Sequence, residues 1–439
     1  MARNFRICVF LSLGCCLSCV VASAVAADLR SSIDERTIVR TVSVQQATEV
    51  EPQPEPELES IPGYTTEEMG YDAGYLPSCG CDDCGCADQT WAGVEYLLWW
   101  RNGRYFPALV TTQPSDGTLP GATVLFGGGE IQEVARPGGR LEVGHWFDNN
   151  HCLGIGGHLV AIANAPVNMA LTSDQLSFIA RPFWDADPAW NVPRMQPIAD
   201  TSIKQPGRID LSTGSEVLAS DVFVRWLLYR ERWARLDFLL GYQFARIDEN
   251  LVVNTYTDGR AIDKIKAEIY VRDEFSTRNE YNAGHFGLQG EYVRGRWGLE
   301  LLAKFGFGTM REQVSISGLT KTVTGPPPLG VAEKQMGLLA LPTNINTYNQ
   351  DSFCFMDDVG VKLAFCPVER LKLSVGYSLM YWSNVVRPGD QIDAFGNQPI
   401  IDTRQYQQPP PPGVTHPAFA FNTTSFMVHG LNLGLEVRF

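Results

Sequence analysis

The sequence predicts an all-β fold: a transmembrane, antiparallel up-and-down β-barrel of about ten strands, or twelve, with long external loops and a disordered N-terminal linker. Three features predict it. Oily and polar residues alternate with a period of two over strand-length segments, short polar turns alternate with long loops, and the last such segment runs to the final residue. Leu431, Leu433, Leu435, Val437 and Phe439 share one face of that segment, with Asn432, Gly434, Glu436 and Arg438 on the other. This spacing belongs to a strand and not to a helix. One oily face, one charged face and a terminal aromatic suit the closing strand of an outer-membrane barrel. Residues 426–439 are therefore expected to be the segment that engages the barrel assembly machinery.

At the other end, residues 1–27 read as a cleaved secretory signal. Arg3 and Arg6 precede the apolar run from Ile7 to Val21, and Ala22, Ala24, Ala26 and Ala27 offer Ala-x-Ala cleavage choices. Beyond this segment no apolar run approaches the roughly 18 residues of a helical span, so a membrane-embedded mature chain has to cross as strands. Residues 28–90 read as an acidic, Pro-rich periplasmic linker. They carry 14 acidic and 3 basic residues, and the run from Glu51 to Glu57 alternates Glu or Gln with Pro. Such a segment repels itself and cannot bury a core. A formal net charge of −14 with no basic stripe argues against nucleic-acid binding.

Seven of the 11 cysteines lie beyond the signal, four of them crowded at Cys79, Cys81, Cys84 and Cys86. In an exported chain the cluster reads first as disulfides, within itself or to another molecule. The second reading is a thiolate site for zinc or copper that Asp82 and Asp83 could complete. Cys152, Cys354 and Cys366 read as ordinary small residues of the wall.

The barrel is expected to occupy residues 91–439. Trp91 to Arg101 opens it, and four hairpins follow. Arg140 to Phe147 pairs with His151 to Ala163, and Glu216 to Tyr229 with Trp233 to Ile247. Tyr281 to Val293 pairs with Trp297 to Met310, and Phe353 to Cys366 with Leu371 to Trp382. The residues between partners include the Asn, Asp, Gly and Pro that tight turns require. Long connections at 102–139, 164–215, 248–280, 311–352 and 383–425 separate the hairpins. Alternation of short turns with long loops is the asymmetry of an outer-membrane barrel, whereas structureless loops of this length are unusual in compact soluble domains. Opening strand, four hairpins and closing strand make ten, with both ends of the barrel periplasmic. The count becomes twelve if 248–280 holds a hairpin of its own.

Alternation also assigns the two faces. The predicted lumen carries Glu95, Arg140, Glu142, Arg225, Arg235, Asp237, Glu300, Lys304, Asp358 and Lys362, joined by Arg101, Asp221, Glu291, Lys372, Glu436 and Arg438. Trp99, Trp100, Trp233, Trp297, Tyr381 and Phe439 are expected in the aromatic girdle where amphipathic rings settle at the membrane interface. The charged lumen reads either as a constriction that filters solutes or as ion pairs that fill and stiffen the barrel. Barrel size favours the second, because eight strands give a filled interior and open aqueous channels appear at about sixteen. His145, His151 and His158 flank one turn, but only His158 clearly points inward, which does not make a metal site.

Several blocks resemble a family of bacterial β-barrel porins, the seventh of the numbered beta-barrel porin families. They are Trp91-Ala92-Gly93-Val94-Glu95-Tyr96-Leu97-Leu98-Trp99-Trp100 followed by Pro107 and Leu109-Val110-Thr111-Thr112, then Gly138-Gly139-Arg140-Leu141-Glu142-Val143-Gly144-His145-Trp146. The closing Gly434-Leu435-Glu436-Val437-Arg438-Phe439 agrees with them but is shared by many barrels. The resemblance spans roughly 91–439 and implies an outer-membrane barrel, with no catalytic motif to carry over. The sequence itself shows no phosphate-binding Gly-rich loop, no His-Glu-x-x-His and no Gly-x-Ser-x-Gly. The expectations are therefore no enzyme activity, no cofactor and outer-membrane lipid as surroundings. The expected function is a porin or narrow channel for small solutes, or else a structural or surface-display barrel acting through its loops. Oligomeric state is left open.

Overall fold

A computed structural model describes residues 88–113, 118–131, 135–262, 265–325, 330–395, 398–401 and 415–439. The expected signal, the linker and the cluster Cys79, Cys81, Cys84 and Cys86 lie outside the described residues. Ten strands form the wall: β1 Thr90–Arg101, β2 Arg136–Trp146, β3 Leu153–Ile162, β4 Gly207–Arg230, β5 Ala234–Ile262, β6 Ile265–Arg294, β7 Trp297–Val323, β8 Asn346–Val368, β9 Leu371–Val386 and β10 Thr423–Arg438. Each pairs antiparallel with the next. β10 closes on β1 from Trp91↔Arg438 to Arg101↔Val428, so the ring leaves no wall strand with an open edge in this register.

The strand count is ten, and residues 248–280 add no wall strand. They are the far half of the β5–β6 hairpin, whose pairing runs from Ala234↔Tyr292 to Ile262↔Ile265 with one irregularity near Asp258. Residues 207–215, 311–323 and 346–352, expected as loop, are likewise wall. The reason is a change of phase in polarity. Low on β5, Leu236, Phe238, Leu240, Tyr242 and Phe244 face outward while Arg235, Asp237 and Gln243 face inward. Beyond Phe244 the outward residues are Arg246, Asp248, Asn250 and Asn254, and the inward ones are Ile247, Leu251 and Val253. The pleat keeps its period while its two faces exchange character. β6 has 30 residues, about 100 Å of strand at 3.3 Å per residue, whereas 9–11 residues suffice to cross a bilayer.

The interior is layered along the axis. At the short-turn end lie the charged residues described below, and above them an apolar layer that includes Leu97, Trp99, Ile247, Met310, Trp382 and Phe426. Beyond it, the long-strand end is filled like a soluble core. Wall residues such as Leu211, Leu251, Phe275 and Ile316 pack on Phe106, Leu109, Ile179, Phe183, Leu339 and Ile392 from infolded connections. Short strands Val110–Thr112, Thr123–Phe126, Phe178–Asp185, Val192–Asp200 and Gln398–Ile401 belong to a small sheet of this filling.

Two acidic wall residues dock the filling. Asp273 of β6 accepts from the backbone N–H groups of Leu339 at 2.8 Å and Ala340 at 2.9 Å, and it pairs with Arg181 at 2.6 Å. Gly337 approaches so closely that a Cβ there would sit 2.0 Å from Asp273 Oδ1, which explains its lack of a side chain. Glu249 of β5 receives Arg101 at 3.0 Å and Arg387 at 3.0 Å. Burial opposes its charge, but Arg387, Arg101 and Arg104 outweigh burial and hold its carboxyl down at about 2. Nearby, Asp390 sits in the short 3-10 turn Pro388–Gln391. Burial, with the charge of Glu249, pushes its carboxyl up to about 6 against the pull of Arg387.

Two outcomes follow. Asp273→Ala strips Arg181 and two buried N–H groups of their acceptor and is expected to destabilise the barrel by about 3–5 kcal/mol, read as a lower temperature for loss of the compact gel form. Asp390 binds its proton more tightly in the folded than in the unfolded chain, so stability rises as pH falls from about 6 toward the ordinary carboxyl value. Asp390→Asn should therefore stabilise by about 1–2 kcal/mol at pH 8 and give no gain at pH 4, measured by thermal unfolding at both pH values.

Candidate functional site: the charged barrel interior

Alternation alone delivers the site. Residues that share the pleat with the outward aliphatics but have opposite parity must point into the ring, and there a charge persists only with a counter-charge. Each of three lysines is held between two carboxylates. Lys304 of β7 lies 2.6 Å from Asp221 of β4 and 2.9 Å from Asp358 of β8. Lys372 of β9 lies 2.6 Å from Glu300 of β7 and also contacts Glu436 of β10. Lys362 of β8 contacts Glu95 of β1 and approaches Glu142 of β2 at 3.9 Å.

The pairs gather into three groups: one runs from Asp358 through Lys304, Asp221, His158, Glu142, Lys362 and Glu95 to Arg140, a second holds Glu300, Lys372, Glu436 and Arg438, and a third lies at the short-turn end. Arg140 binds Glu95 at 3.1 Å, and His158 bridges Asp221 at 2.8 Å and Glu142 at 3.6 Å. Arg438 caps Glu436 at 3.0 Å. At the short-turn end, Arg225 and Arg235 share Asp237 at 2.6 and 2.7 Å, and both guanidinium groups lie over the Trp146 ring, at 4.9 and 4.4 Å from its centre. The link from Lys304 to Asp221 crosses the barrel between strands three apart in the ring. Between these side chains remains a cavity of about 30 Å³, lined in part by Arg140, Glu142, His158, Lys304 and Lys362, room for about one or two waters.

All ten predicted lumen residues, Glu95, Arg140, Glu142, Arg225, Arg235, Asp237, Glu300, Lys304, Asp358 and Lys362, face the interior and take part in these pairs. The aromatic set divides. Trp233, Trp297 and Phe439 are exposed on the outer surface, and Trp100 and Tyr381 are partly exposed there. Trp99 corrects the expectation. It is 1% exposed, donates from Nε1 to Asn432 Oδ1 at 2.7 Å and lies beneath Arg140 at 5.5 Å. Adjacent residues of a strand face opposite ways, so Trp99 and Trp100 cannot both reach the outer surface.

Cys366 also departs from expectation. It is disulfide-bonded, while Cys152 and Cys354 are free. His145 bonds Thr90 at 3.0 Å and His151 stacks on Trp146. Only His158 of the three joins the network, and no group of His, Cys, Asp and Glu among the described residues is arranged to hold a metal ion. Sequence reading missed His285, which faces Asp221 at 3.8 Å, and the docking acids Glu249 and Asp273. The signal for His285 was its parity with Tyr281 and Ala283 on β6.

The family model described as "Putative beta barrel porin-7" matches residues 91–439. Among solved structures, the outer membrane protease OmpT of Escherichia coli is similar at 10% identity, with 80% of this chain and 97% of that one covered and a TM-score of 0.38. The toluene transporter TodX of P. putida, at 7% identity, and a FadL homologue of Pseudomonas aeruginosa, at 8%, each cover 81% of this chain and 91% of their own, with a TM-score of 0.21. Curated proteins yield no match. The family match takes in every wall strand from Trp91 onward, and the chain belongs to the beta barrel porin-7 family.

Proposed function

We propose that the protein is a bacterial outer-membrane barrel with a closed interior, a structural support that displays its long-strand end at the cell surface. The observation that carries this reading is the double carboxylate bracing of Lys304, Lys362 and Lys372, which leaves a cavity of only about 30 Å³. The packed core above it supports the same reading. Hydrated ions need a continuous wet path, and among the described residues paired charges and packed side chains occupy both layers. The alternative, a narrow channel for small solutes, draws on family membership and on the charge of the lumen. It requires that the network and the filling move together.

In this reading the belt of outward aliphatics meets outer-membrane lipid, and β10 engages the assembly machinery. The chain is exported with a cleaved signal, and the ends of the barrel face the periplasm. Its interior charges act as structural pairs and not as catalysts or cofactor ligands.

Purified protein in planar bilayers is expected to give no stepwise conductance, and regular steps from the wild type would replace this reading with the channel. Orientation has its own test. Ile203→Cys, at an exposed position of the long-strand end, should be labelled by an impermeant maleimide on intact cells, and Glu369→Cys in the β8–β9 turn only after the outer membrane is opened. The reverse pattern would overturn the assignment of sides.

A further inference from the structure

Between Phe353 and Leu363 the outward face of β8 is apolar except at one residue. Phe353, Phe355, Val359, Val361 and Leu363 look outward, and Asp357 stands in the same series. It lies in register with Phe305 of β7 and Tyr381 of β9, beside the contact between Phe355 and Tyr381. Among the described residues no hydrogen bond or ion pair holds its carboxylate. A charge on the lipid side of a barrel wall is destabilising, and ionisable groups at such places mark sites of function or contact.

A second polar group faces outward two strands away. His429 of β10 belongs to the series of Leu431, Leu433 and Leu435. Its Nδ1 bonds the Tyr377 hydroxyl at 2.5 Å, and its ring stacks on Trp100, which leaves Nε2 for another partner. Asp357 connects through Tyr381 to Met427, two residues short of His429. The in-register path rises around the ring, from Glu95 near the short-turn end of β1 through Arg140, Val160, Ala219, Ala245 and Tyr281 to Met310 and Ser352. Passing from β8 to β10 thus gains about 6 Å of height, and stepping down from Met427 to His429 returns about 5 Å, for strands ~4.8 Å apart and tilted ~40°. The two side chains therefore stand at one height, about 12 Å apart along the wall.

We propose that the face from β8 to β10 joins a second copy of this chain about a two-fold axis along the membrane normal, passing between Leu379 and Tyr381. Such an axis preserves height and exchanges left with right, so Asp357 of each copy meets His429 of the other. The contact is self-complementary, as an isologous interface must be. Val361, Val375 and Leu431 supply the apolar surround. The inference rests on the reading that the outer belt lies in lipid.

Full-length protein extracted in mild detergent is expected at twice the chain mass by light scattering corrected for bound detergent. D357H and H429D should each weaken the dimer tenfold or more, and the double exchange D357H/H429D should restore it. In membranes, L379C should form a disulfide-linked dimer on mild oxidation, while V224C on the opposite wall should not. Heat-dependent gel migration in each variant reports that the barrel is folded. A folded, membrane-embedded wild type that stays monomeric overturns the interface alone, as do unchanged dimers in both single variants or equal cross-linking from V224C. A chain that does not fractionate with membranes overturns the lipid-facing reading as well.

Discussion

Every residue of a closed, pleated wall has only two places to go, and that constraint governs this structure. The ring closes between β10 and β1, so a side chain points either to the axis or away from it. On the long strands β4 to β7, the chain fills both destinations twice over. Near the short turns it puts aliphatics outside and charges inside, and further along it does the reverse. The same backbone geometry thus supports a membrane-type section and a section built like a soluble protein. The Leu251–Val253 stretch of β5 belongs to the second as plainly as Leu236–Phe244 belongs to the first.

The two sections solve the interior differently. In the apolar filling, burial of side chains from wall and loops is favourable in itself. The charged layer gains its order from exact partnership: lysines and carboxylates buried together lose hydration, and their attraction roughly offsets that loss. Its value lies in intolerance of partial removal, since a lost partner strands a charge among apolar neighbours. Trp146 adds a further restraint, receiving two guanidinium groups on its ring.

The fold was legible where one phase of alternation persists, and it faded where the phase changed. Lys304 and Asp358 could be placed inside because Phe305 and Val359 beside them are oily. Residues 248–280 read as loop because their outward positions are rich in Arg, Asp, Asn and Glu, the composition of a connection, although the period of two holds on either side of one bulge near Asp258. Glu249 and Asp273 were hidden in that stretch, since nothing local distinguishes a docking acid from a solvated one. Trp99 was legible in principle, as its parity with Leu97 and Arg101 puts it inside, but its chemical likeness to Trp100 argued for the girdle. The disulfide at Cys366 could not be read from the spacing of Cys354 and Cys366 along one strand.

The near-unbroken ladder between β5 and β6 has an evolutionary corollary. Because belt and extension share one pleat, loss of a single residue near the middle of either strand would turn one section inside out relative to the other. A compensating bulge, of the kind seen between Asp258 and Arg260, is the available repair. Lineages of such barrels can therefore lengthen or shorten these hairpins readily in paired increments, and an odd change has to be accompanied by a kink that restores parity.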